Sequence, residues 1–224
     1  MKYILIKKLK IAFANVAKCG TCSLKDLALT YDYPEYSYTL NPRADYIFSH
    51  LHQVNFAGIE VTCIAEDVPS DYRSILFVRN PFDRVASGYK HFVALQAGES
   101  HRLSTLMKKI TFKQMVLQYL YSISCVDHHF FSIIKVIRKC LENTEIYRFE
   151  NFGEEMKNIL QIDNIPHLNK TSNNKEGYRG IYTLKTKLVV QDLYKWDFNN
   201  LGYNFNGYKD IKLDIKKLKE KSKP

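Results

Sequence analysis

The sequence predicts an α/β fold: a single domain on a mostly parallel central sheet flanked by helices. Short apolar runs bounded by turn signals alternate with stretches of helical periodicity, the pattern of strand–helix–strand units. Two of these runs, ending near Ala14 and Val78, pass straight into a turn and then a helix, where open α/β sheets gather ligands. The 224 residues are 46% hydrophobic, enough for a substantial core, and no Pro/Gly/Ser-rich linker divides them. We read one domain over 1–208, followed by a basic tail over 209–224.

Strands are expected near 10–14, 45–49, 59–64, 74–78 and 145–149, and helices near 22–30, 82–95, 111–122, 127–141, 151–160 and 183–196. The first strand leads into the loop Lys18-Cys19-Gly20-Thr21-Cys22-Ser23. Gly20 lets the backbone approach a ligand closely, Thr21 and Ser23 offer hydroxyls and cap the next helix, and that helix start adds partial positive charge. Lys18 supplies a full charge, so the loop reads as an anion cradle. The fourth strand ends at Arg79, where Asn80 is pushed out of helical geometry by Pro81, and Pro81 suits a first helical turn. Arg84 and Ser87 are three apart and share a helical face, so with Arg79 they can converge on a second anion. Two anion sites imply a ligand with two anionic ends. The polar stretches Gln96–Lys109 and His167–Gly177 read as loops, the former on the acceptor side. The tail Lys209–Lys223, with Ile211, Leu213, Ile215 and Leu218, reads as a short solvated or docked helix.

The net charge of +10 suits an anionic ligand, and equally nucleic acid or a membrane surface. The apolar run Tyr3–Ile6 is far too short for a signal segment or a membrane span, which implies a cytoplasmic protein. Five cysteines (Cys19, Cys22, Cys63, Cys125, Cys140) cannot all pair, and a reducing compartment fits. Cys19-Gly-Thr-Cys22 also admits a thioredoxin-like reading, but redox chemistry leaves the second anion turn unexplained. Zinc would need a second ligand pair, for which His128-His129 is the candidate.

The two turns together resemble the sulfotransferases that use 3′-phosphoadenosine 5′-phosphosulfate (PAPS). V-A-K-C-G-T-C-S-L is similar to their 5′-phosphosulfate loop, and F-V-R-N-P-F-D-R-V-A-S-G-Y to their 3′-phosphate loop. The resemblance implies that Lys18, Cys19, Gly20, Thr21, Cys22 and Ser23 hold the 5′ end. Arg79 and Ser87, eight apart as in the family, then hold the 3′ phosphate, with Arg84 alongside. Many relatives have Pro where this chain has Ala17, and vary where it has Cys19 and Cys22.

D-Y-I-F-S-H-L-H-Q-V-N-F-A-G, Y-R-F-E-N-F at 147–152, P-H-L-N-K-T at 166–171 and Y-K-W-D-F-N-N-L-G-Y at 194–203 resemble the carbohydrate branch, of the heparan sulfate 2-O-sulfotransferase and chondroitin sulfotransferase type. That resemblance implies a saccharide or glycan acceptor, anionic or neutral, with no nucleic-acid partner and no membrane span. It also implies a P-loop-like fold, with His50 as general base and His52 orienting or contacting the acceptor. Sulfuryl transfer would proceed by in-line displacement through a loose transition state, with Lys18 neutralising the departing phosphate and no metal required.

Two other readings stand beside it. A P-loop nucleotide kinase predicts G-x-x-x-x-G-K-[ST], whereas Lys18 here precedes Gly20 and the later strand ends in Arg79 rather than a carboxylate. A non-catalytic polyanion-binding module predicts exposed aromatics among basic residues, but most of the sixteen tyrosines fall within apolar runs.

Overall fold

A computed structural model describes residues 1–32, 54–56, 59–61, 64–94, 102–161 and 179–222. The chain divides into two compact units. The first comprises Met1–Val78, Lys139–Thr171 and Asp214–Lys217; the second comprises Arg79–Arg138, Ser172–Leu213 and Leu218–Pro224. The expected strand at 45–49 and the polar stretch His167–Gly177 lie outside the described residues.

The first unit carries the strands β1 (Tyr3–Ile6), β2 (Ile11–Ala14), β3 (Val54–Phe56), β4 (Ile59–Val61), β5 (Ile64–Ala65), β6 (Arg73–Val78) and β7 (Glu145–Arg148). Five form one sheet in the order β5-β1-β2-β6-β7, while β3 and β4 pair as a separate antiparallel ribbon. The sheet is mixed rather than mostly parallel. β2, β6 and β7 run parallel, whereas β1 is antiparallel to both β2 and β5. The cause is connection length: only a 3₁₀ turn, Lys7–Leu9, and the left-handed Lys10 (φ 52°) join β1 to β2, and a parallel crossover needs a dozen or more residues. β1 itself is the apolar run Tyr3–Ile6, buried at all four positions.

Parallel strands buried on both faces need apolar residues throughout, and β6 has Ile75, Leu76, Phe77 and Val78, each 0–2% exposed. Phe77 packs on Phe13 of β2 and on Phe152 of the helix Phe152–Leu160, with ring centroids 6.2 and 5.0 Å apart. The polar members of β6 are matched across the ladder. The Ser74 and Thr144 hydroxyls share a 2.9 Å hydrogen bond, and the Arg73 guanidinium donates to both Glu145 carboxylate oxygens and to the Tyr147 hydroxyl. The helix α1 (Thr21–Asp32) buries Leu24, Leu27 and Ala28, and the Asp32 carboxylate accepts from the Lys7 and Lys8 amides.

The second unit is helical. Its core joins Phe82, Val85 and Phe92 of α2 (Pro81–Ala94) to Met115, Phe130, Tyr182 and Tyr194. The helical pattern expected near 111–122 starts at a capping box between Thr111 and Gln114, and it contains a π-helical stretch, Met115–Tyr119, before Leu120–Val126. Residues 102–107, expected as loop, are helical.

The helix expected over 127–141 shrinks to Ile133–Ile137. The Asp127 carboxylate accepts from the His129 amide at 2.9 Å, and Ser132 caps the helix that follows, so side chains take backbone donors a longer helix would have used. The pattern at 183–196 resolves into Leu184–Leu193 and Lys195–Leu201, the latter stopped by left-handed Gly202 (φ 70°). The tail forms the helix Ile215–Lys221. Among the described residues no helix is long and apolar enough to cross a membrane.

Candidate active site

In the first unit the chain leaves β2 through a turn in which the Cys19 amide donates to the Val16 carbonyl at 3.2 Å. Lys18 (φ 66°) and Gly20 (φ 86°) are both left-handed. The Gly20 carbonyl accepts the Leu24 amide at 3.0 Å, which makes Gly20 the cap of α1. Thr21 and Ser23 therefore lie inside the helix rather than capping it, and the first-turn amides of Thr21, Cys22 and Ser23 have no acceptor within the helix.

Gly20 is required twice over. Its φ is one that side chains rarely adopt, and an added Cβ would stand 2.7 Å from Phe149 Cε2 and 3.1 Å from Phe152 Cε2. Lys18, Thr21 and Cys22 are half-buried, Cys19 and Ser23 are buried, and neither Cys19 nor Cys22 is in a disulfide. The result is a left-handed turn at the end of a parallel strand, with Gly20 packed against two aromatic rings and Lys18 two residues before it.

In the second unit the Arg79 turn is built around Asn80, which is wholly buried. The Asn80 Oδ1 accepts the Phe82 amide at 3.0 Å, its carbonyl accepts the Arg84 amide at 2.9 Å, and Nδ2 donates to the Asn204 and Gly207 carbonyls at 2.8 and 3.3 Å. Asn80 thus caps α2, with Pro81 at its first position. Arg79 remains half-buried, and Ser87, two turns into α2, is 9% exposed.

Arg84 differs from both. It is 2% exposed, stands 6.0 Å from the Tyr194 ring centroid, and interacts electrostatically with the fully buried Asp197. Among the described residues its Nε and Nη1 have no hydrogen-bond partner. Burial raises the Asp197 carboxyl above its ordinary value, opposed by Arg84 and by donors from Ser132 Oγ (2.6 Å) and the Ile133 amide (2.9 Å).

His50 and His52 lie outside the described residues. Sequence reasoning read Asn80 only as a helix boundary, and gave no role to the buried cations Lys25 on α1 (6% exposed) and Arg148 (7% exposed) at the end of β7. Arg148 sits in the motif Y-R-F-E-N-F, in register with Val78, so a cation closing a parallel strand was a signal in plain view.

The model of the sulfotransferase family matches residues 1–204 of this chain. The chain belongs to the sulfotransferase family and is by that membership a transferase, with sulfuryl transfer as its class of chemistry. No curated protein and no solved structure matches it.

Proposed function

We propose that the chain is a PAPS-dependent O-sulfotransferase of the carbohydrate branch, transferring a sulfuryl group to a hydroxyl of a saccharide or glycan. The observation that carries this reading is the Gly20 cradle, whose left-handed backbone, aromatic wall and accompanying Lys18 suit a phosphosulfate. Support comes also from topology. β2 and β6 are parallel neighbours in the first unit, and β2 runs at its C-terminal end into the Gly20 turn, where open α/β sheets gather ligands.

In this reading Lys18 and the amides of Gly20 to Ser23 hold the 5′ end, and Arg79 and Ser87 hold the 3′ phosphate. The acceptor oxygen forms its bond to sulfur as the sulfur–oxygen bond to the 5′ phosphate breaks. Negative charge builds on the departing phosphate, where Lys18 neutralises it. His50 takes the acceptor proton, and His52 orients it or the acceptor. Arg84 stands alongside Arg79 and Ser87, 2% exposed on α2, with Nε and Nη1 that have no hydrogen-bond partner among the described residues.

The test is thermal unfolding with 3′-phosphoadenosine 5′-phosphate, AMP and ATP. A ligand at 100 times its dissociation constant stabilises by about 2.7 kcal/mol. The 3′,5′-bisphosphate should raise the melting temperature well above the other two, and Arg79→Ala should remove most of that advantage. Equal shifts from all three nucleotides would overturn the assignment of Arg79 and Ser87 to a 3′ phosphate.

A further inference from the structure

Away from the Gly20 and Arg79 turns, the second unit brings three metal-binding side chains together in the turn after the helix Leu120–Val126, with a fourth, His91, beside them on α2. Asp127, His128 and His129 each offer a ligand atom within 4.8 Å of the others, the one such group among the described residues. His91 on α2 joins them: its ring stacks on that of His129 with centroids 5.0 Å apart, and the His128 and His129 centroids are 4.1 Å apart. Two imidazoles bound to one tetrahedral ion at about 2.1 Å have centroids roughly 5 Å apart, the spacing of the His91 and His129 rings; their planes are 24° apart, and both rings must turn edge-on to share an ion.

From this we infer that His91, His128 and His129 form a binding site for a divalent transition-metal ion, with Asp127 as its orienting carboxylate. Asp127 Oδ1 lies 2.8 Å from His129 Nδ1 and also accepts the His129 amide at 2.9 Å. A carboxylate on Nδ1 fixes the ring and leaves Nε2 as the ligand atom, the second-shell arrangement of histidine metal sites. The surroundings are of the right kind. Asp127 is buried, Phe92 packs edge-on against His129, and His128 is exposed, which leaves a path for the ion. Imidazole donors select Zn²⁺, Ni²⁺, Co²⁺ or Cu²⁺ over Mg²⁺ and Ca²⁺. The bound ion ties α2 to the turn at 127–129, and it supports the helix on which Ser87 lies one turn before His91 without entering any reaction step.

The experiment is equilibrium dialysis of the full chain, freed of any affinity tag and stripped with chelator, against ZnCl₂. A parallel titration with CoCl₂ is followed by visible absorption. One zinc per chain is expected, together with the strong absorption of tetrahedral Co²⁺ and a rise in melting temperature with added zinc. His128→Asn, at an exposed position, should fold as the parent does and weaken zinc by more than the ~10–100-fold that loss of an orienting partner costs; Asp127→Asn should fall within that range. No zinc at one equivalent, unchanged affinity in His128→Asn, or zinc lost on alkylating the cysteines instead would overturn the site.

Discussion

At the scale of single residues, Gly20 is the most constrained position of the candidate site. Alanine there would adopt a disfavoured φ of 86° and place its Cβ 2.7 Å from the ring of Phe149, so the strain comes from backbone and packing together. Gly20→Ala should lower stability by about 1–3 kcal/mol, read as a shift in the urea midpoint without change of slope. An unchanged midpoint would show that the turn has another conformation available. This residue was legible beforehand because a glycine between a strand and a helix has few other uses, and Lys18 beside it supplied the charge. Asn80 was not: before a proline it reads as an ordinary turn former, and its hold on the Asn204 and Gly207 carbonyls is a contact across more than 120 residues that no local pattern encodes. Arg84 shows the same limit from the other side. Its spacing from Ser87 suggests a ligand contact, but its burial, with Nε and Nη1 unpartnered among the described residues, is a property that only the folded unit shows.

Among elements, the strands β2, β6 and β7 and the helices after them were readable because their residue patterns and the turn chemistry that follows agree. β1 was not read as a strand, because four apolar residues before two lysines carry no period; only pairing with β2 makes them a strand and the sheet mixed. The stretch 127–141 failed for a different reason. Its periodicity is helical, but Asp127 and Ser132 take the amides of His129 and Ile134, and the Asp197 carboxylate caps the surviving helix from 65 residues away through Ser132 Oγ. Asp197 therefore serves two elements, since it also faces the buried guanidinium of Arg84 on α2. Asp197→Ala leaves the buried Ile133 amide and the Ser132 hydroxyl without their acceptor and removes the charge that opposes Arg84, and a buried donor left unsatisfied costs about 1–3 kcal/mol. Chemical denaturation should register a loss of that order. The double variant Arg84→Met/Asp197→Ala should recover part of it, because no charge is then left uncompensated in the interior; no recovery would assign the whole loss to the cap.

Over the whole molecule, chain order and spatial grouping do not coincide. The first unit takes residues from three separate stretches, Met1–Val78, Lys139–Thr171 and Asp214–Lys217, so a contiguous fragment cannot contain it. The reading of a single domain over 1–208 makes a specific claim here: the first 78 residues should not fold alone. Without β7, β6 loses its ladder from Ile75↔Glu145 to Val78↔Arg148, and Ile75, Leu76, Phe77 and Val78, each 0–2% exposed, come to lie along a bare sheet edge. Phe77 also loses Phe152, and the Gly20 turn loses both of the rings that wall it. Short sheets need a covered apolar face to persist in water. A fragment of residues 1–78 should therefore show no cooperative thermal transition by circular dichroism and should self-associate through the exposed edge. A sharp, concentration-independent melt of that fragment would instead establish it as a domain in its own right, with the anion cradle belonging to it alone.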